Sequence, residues 1–111
     1  MIPNVRAGRT GEAMHRAGVD AVWNERARLA GNSLFVNLDA PERQYDRDVG
    51  HLLGKNNLAH LRLVPGDGGT LREGMIACCE YQWPLRSHAI AYEDTCLVTA
   101  EGGLNLTSDE E

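Results

Sequence analysis

The 111 residues contain no apolar run near the ~20 positions that a membrane-spanning helix requires, so helical insertion into a bilayer is excluded. Basic residues are in deficit. Lysine and arginine total 11 against 16 aspartates and glutamates, a net charge of -5, whereas a protein held on phosphates by counterion release carries the opposite sign. Neither nucleic acid nor a membrane is an expected partner. Cysteine is scarce: Cys78, Cys79 and Cys96 are an odd number without the spacing of a disulfide framework, as expected of thiols in a reducing compartment. Arg6 and Arg9 precede no hydrophobic stretch of the kind an export leader carries, so the expected location is the cytoplasm. Aromatic residues make up only 5%, and Trp23 and Trp83 read as packing residues rather than stacking platforms. No repeat or low-complexity segment interrupts the chain, which is read as a single domain over residues 1–111.

What is present, 42% hydrophobic and 24% charged residues, suits a compact domain with a modest core. Thr10 is placed to cap a helix running to Gly31, with Glu12 in its first turn and Met14, Ala17, Ala21, Val22 and Leu29 marking its apolar side; Gly18 weakens it. Residues 33–38 are able to form a short strand, and Asp39, Pro41 and the charges after them read as a loop. Residues 49–54 are a short apolar piece around His51, and residues 64–70 are dense in turn formers. Residues 75–82 and 88–100 are rich in strand formers and read as two antiparallel strands joined through residues 83–87. The acidic tail from Ser108 is expected to fray.

Strand side chains alternate between faces, so Glu80 shares a face with Ile76 and Cys78, and Glu93 with Ala89, Ala91, Thr95 and Leu97. Two carboxylates among apolar neighbours ask for a shared cation. The same pattern is open to a plainer reading in which both lie on a wet face. The three cysteines with His88 do not make a zinc site, because neighbouring cysteines on a strand point to opposite faces and Cys-x-x-Cys spacing is absent. They read as small buried hydrophobes. His60 and His88 have the neutral-range titration that acid-base catalysis uses, although such histidines more often serve structure, and His15 on the helix does so more clearly. The segment 66–69 lacks the strand and helix that flank a phosphate loop, and Asn105-Leu106-Thr107 has the form of a glycosylation acceptor without a secretory context.

The order of these pieces carries a further signal. Glu73-Gly74-Met75 with Glu80 five residues on, then Tyr92-Glu93-Asp94-Thr95-Cys96-Leu97-Val98-Thr99, Gly102 and Leu106-Thr107, resembles the closing signature of the pita-bread metallohydrolases. That family includes methionine aminopeptidase, aminopeptidase P, prolidase and creatinase. Upstream, Gly50-His51-Leu52-Leu53-Gly54 resembles its Gly-His-x-x-Gly, and the helical stretch from Ile2 to Leu29 is similar to the helix that precedes it. His51, Glu80 and Glu93 stand 29 and 13 residues apart, and the short final interval is more similar to microbial prolidases than to methionine aminopeptidases.

The resemblance implies an α+β fold, the C-terminal half of a pita-bread domain, with a curved antiparallel sheet and one or two packed helices. It implies His51, Glu80 and Glu93 as metal ligands, manganese, cobalt or zinc as the ion with two ions in complete relatives, and hydrolysis of Xaa-Pro peptides as the activity. The family's other two ligands are aspartates ten residues apart in the preceding half; Asp20, Asp39, Asp46, Asp48 and Asp67 show neither that spacing nor that order. With three of five donors, the chain alone is expected to be inactive. Tyr81 stands where relatives carry proline and Ala91 where prolidase-like relatives carry arginine, so a creatinase-like or lyase-like substrate stays open. The family's second histidine falls on Leu58; His60, displaced by two, is the candidate for that catalytic role if residues 55–59 bulge. The expected partners are a peptide or small amide substrate, and a second copy of the chain or the missing N-terminal half. A rival reading is a non-catalytic half-fold that associates through its sheet edge.

Overall fold

The computed structural model describes residues 1–25, 28, 49–53, 61–84 and 89–108. Among these, a 3-10 turn, Ile2–Asn4, leads into helix α1, Gly11–Asn24, followed by strands β1 (Gly50–Leu53), β2 (Ile76–Pro84), β3 (Ala89–Val98) and β4 (Gly103–Asn105). The strands form one antiparallel sheet in sequence order. This is the expected α+β class, with helix α1 against the sheet among the described residues.

Helix α1 begins where the sequence indicates. The Thr10 hydroxyl accepts the Ala13 N–H at 3.1 Å, which satisfies one donor of the first turn, and Glu12 lies in that turn. The packed stripe is Gly11, Met14, His15, Gly18 and Val19, spaced by three, four, seven and eight, rather than the stripe through Ala17 and Ala21. The two glycines explain the rotation. Gly18 sits against the Val49 side chain, and at Gly11 a Cβ would meet the Arg62 carbonyl, so the helix approaches through its smallest residues. Part of the expected helical extension to Gly31, together with the expected strand at 33–38, lies outside the described residues.

The core lies between α1 and one face of the sheet. Met14 and Val19 of the helix cluster with Leu52 of β1, Ala77 and Cys79 of β2, Cys96 and Val98 of β3, and Val5, Val49, Leu61, Leu63 and Leu71 of the connecting segments. The loop over residues 64–70 is held by Asp67, whose carboxylate accepts the N–H groups of Arg62 (2.7 Å) and Gly69 (2.8 Å). Its role there is the turn. The two expected strands are present with shifted ends: β2 runs on through Pro84, and β3 starts at Ala89. Strand β4 was not anticipated. It follows a tight turn in which the Thr99 hydroxyl donates to the Gly102 carbonyl at 2.7 Å and accepts the N–H groups of Glu101 and Gly102. The triplet Asn105-Leu106-Thr107 closes β4: the Thr107 N–H donates to the Asn105 side chain, and the Thr107 hydroxyl accepts the Thr95 N–H. No described helix is long and apolar enough to cross a membrane.

Candidate metal centre

The sheet register determines which side chains meet. On the face away from α1, His51 of β1 is opposite Cys78 of β2, which is opposite Thr95 of β3, and in the adjacent row Glu80 is directly opposite Glu93. Residues 29 and 13 positions apart in the chain are thereby neighbours in space. The His51 Nε2 lies 3.6 Å from the Glu93 carboxylate and 3.9 Å from that of Glu80. The side chains are 45% (His51), 26% (Glu80) and 46% (Glu93) exposed, so the cluster is open enough for an ion and a ligand to enter.

Gly50 makes this position for His51 possible. Its φ of +148° and the nearness of the Cys78 carbonyl leave no room for a Cβ, so β1 can enter the ladder beside β2 only with glycine there. The ladder is extended by the Glu80 N–H, which donates to the Val49 carbonyl at 2.9 Å, and the outer edge of β1 meets Arg62 through a bridge at His51. The His51 Nδ1 faces the Leu52 carbonyl at 3.4 Å. In the tautomer with its proton on Nδ1, the Nε2 lone pair is turned toward two carboxylates, an arrangement that a cation between them stabilises.

The donor set fits a divalent ion. Imidazole nitrogen and carboxylate oxygen suit borderline-to-hard metals, and bonds of about 2.1 Å place tetrahedral donors roughly 3.4 Å apart. The separations from the His51 Nε2, 3.6 Å to Glu93 and 3.9 Å to Glu80, are close to that edge, and the triple whose ligand atoms all lie within 4.8 Å of one another among the described residues is His51, Cys78 and Glu93. The expected ligands His51, Glu80 and Glu93 are thus brought together, on the open face rather than in the core. His60 and His88 lie outside the described residues.

All three cysteines are buried, as expected of small hydrophobes, and Cys78 in addition lies beside two of the expected ligands. His51, Cys78 and Glu93 each offer a ligand atom, all within 4.8 Å of one another. Cys79 and Cys96, by contrast, belong to the core, as strand alternation requires. Burial pushes the Cys78 thiol up to about 11, and the hydrogen-bonded Glu93 carboxylate adds to the rise. Burial likewise raises Cys79 to about 12 and raises Cys96, the two sulfurs also acting on each other.

Comparison with known proteins bears on the fold and the family. The structure is similar to prolidase from Pyrococcus furiosus, with a TM-score of 0.64 and 20% identity over 99% of this chain and 29% of that one. It is also similar to dipeptidase PepE from Mycobacterium ulcerans, with a TM-score of 0.51 and 19% identity over 85% of this chain and 29% of that one. The chain therefore spans less than a third of either protein. A search of curated proteins finds no match. The sequence model of Metallopeptidase family M24 matches residues 1–100, and with the half pita-bread fold this establishes that the chain belongs to family M24.

Proposed function

We propose that this chain supplies the His51, Glu80 and Glu93 portion of an M24 metal centre that hydrolyses Xaa-Pro peptides. The observation that carries this reading is the approach of two carboxylates on adjacent strands to one imidazole, at 3.6 Å (Glu93) and 3.9 Å (Glu80) from the His51 Nε2. An ion of the manganese, cobalt or zinc class would supply Lewis acidity toward a substrate carbonyl and generate a nucleophile from water at neutral pH. The chain's own residues would hold it: His51 would present Nε2, with the Leu52 carbonyl near Nδ1 to orient the ring, and the opposed carboxylates would neutralise its charge. His60 is proposed for proton transfer. The two aspartates of complete relatives have no counterpart in this sequence, so the isolated chain binds metal weakly and turns over no substrate.

Titration with manganese or cobalt under calorimetry, with Glu80→Gln and Glu93→Gln alongside, tests the metal site. Uptake by the parent that falls at least roughly tenfold in each variant supports it, and equal uptake in all three sinks it. A substrate panel of an Xaa-Pro dipeptide and a creatine-like amide then tests the substrate class, either alone or with a complementary pita-bread portion added.

The apolar side chains of the same face favour association as a second reading. Leu53, Ile76, Leu97 and Leu104 form one row across all four strands, with Leu53 and Leu104 exposed and Leu106 exposed beyond them. The occupant proposed for this face is the complementary portion of a pita-bread chain, because over two-thirds of each structural neighbour has no counterpart here. Sedimentation of the chain alone distinguishes the cases: a metal-independent dimer identifies a second copy as the occupant instead.

A further inference from the structure

We propose that Cys78 is itself a metal ligand, joining His51 and Glu93 of the centre proposed above, so that this chain prefers thiophilic divalent ions such as zinc or cobalt over manganese. The inference rests on the metal-centre reading above and adds to it the identity of a donor and the class of ion. Its basis is positional. Cys78 faces His51 across β1 and β2 and Thr95 across β2 and β3, and its sulfur, the His51 nitrogen and the Glu93 oxygen lie within 4.8 Å of one another. Bonds of about 2.3 Å to sulfur and 2.1 Å to nitrogen put those donors roughly 3.5 Å apart around a tetrahedral ion, so closure requires inward side-chain movement of about 1 Å.

The Thr95 hydroxyl is placed to support a coordinated thiolate at Cys78. Its sulfur lies 3.8 Å from the Thr95 hydroxyl, which can donate a hydrogen bond to it and hold its orientation. The backbone at Cys78 is fixed by strands on both sides, and the side chain is almost wholly buried while the two partner donors stay half open. Coordination replaces the S–H bond with a sulfur–metal bond and releases the proton to water. Sulfur favours zinc and cobalt over manganese, whereas a set of nitrogen and oxygen donors alone discriminates less.

Cobalt(II) titration of the reduced, full-length chain reads the ligand directly, because a thiolate adds a near-ultraviolet charge-transfer band to the visible d–d bands. The expected result is both sets of bands in the parent, with loss of the charge-transfer band in Cys78→Ser and its retention in Cys79→Ala and Cys96→Ala. In competition, zinc affinity of Cys78→Ser should fall at least about tenfold while manganese affinity changes by less than about threefold. Cobalt d–d bands without a sulfur band in the parent overturn the proposal and leave the His51, Glu80 and Glu93 centre standing. A band that survives Cys78→Ser but not Cys79→Ala also overturns it. Absence of cobalt uptake by the parent overturns both readings. Where Cys78→Ser fails to fold, retention of the band in both Cys79→Ala and Cys96→Ala assigns it to Cys78, and its loss in either overturns the proposal, because the chain has three cysteines.

Discussion

Replacing Gly50 by alanine probes the fold and the site through one atom. The added Cβ would run into the Cys78 carbonyl and lie 2.9 Å from the Leu63 Cδ1, and the backbone is at φ +148°. A side chain in so sparsely populated a conformation costs on the order of 1–3 kcal/mol. Moving β1 outward to relieve the clash gives up one or two ladder hydrogen bonds, each worth about 1 kcal/mol. A total near 3 kcal/mol lowers the melting temperature by roughly 12 °C in a domain of this size. The same movement takes His51 away from Glu80 and Glu93, so metal affinity should fall with stability. Circular dichroism melts and cobalt titration of Gly50→Ala measure the two effects. A melting temperature within about 3 °C of the parent, with unchanged cobalt binding, would refute the claim that this close approach positions the histidine.

Glu93→Gln should raise the stability of the metal-free chain by a few tenths of a kcal/mol, since it removes one of two like charges directly opposite each other. With cobalt present the order should reverse, which urea unfolding with and without the ion would show. Thr10→Ala removes the acceptor for the Ala13 N–H and should cost about 1 kcal/mol in urea unfolding, without changing metal affinity. Alkaline pH should destabilise the fold through the core thiols. Burial raises Cys79 from 9.0 to about 12, so the folded state holds that proton more tightly than the unfolded one. Its contribution is complete below about pH 9 and is lost as pH rises toward 12, and melts under reducing conditions should fall less steeply over that window in Cys79→Ala.

The long strands were legible because β-branched, aromatic and small apolar residues accumulate between turn formers, and alternation then assigned Glu80 and Glu93 to faces correctly. Strand β4 was not, because Gly103-Leu104-Asn105 is too short to show a period and owes its place to the Thr99 turn and the Asn105–Thr107 closure. The helix cap was visible in Thr10, but its buried stripe was not. Glycines carry no hydropathy signal, and close approach at Gly11 and Gly18 turns the helix away from its alanine side. For the site, the resemblance indicated the three expected ligands, and only the register shows them meeting. Cys78 was hidden for the opposite reason: its burial was foreseen, whereas its neighbours across the sheet are a property of pairing that no linear spacing displays.

That pairing ties two otherwise separate properties together. Slipping β2 by one residue against its neighbours would exchange its faces, sending Glu80 and Cys78 toward the helix and Ala77 and Cys79 outward. An ion clasped by donors from three strands would therefore act as a proofreader of strand alignment, because chains that zip up one step out of phase cannot assemble its cage.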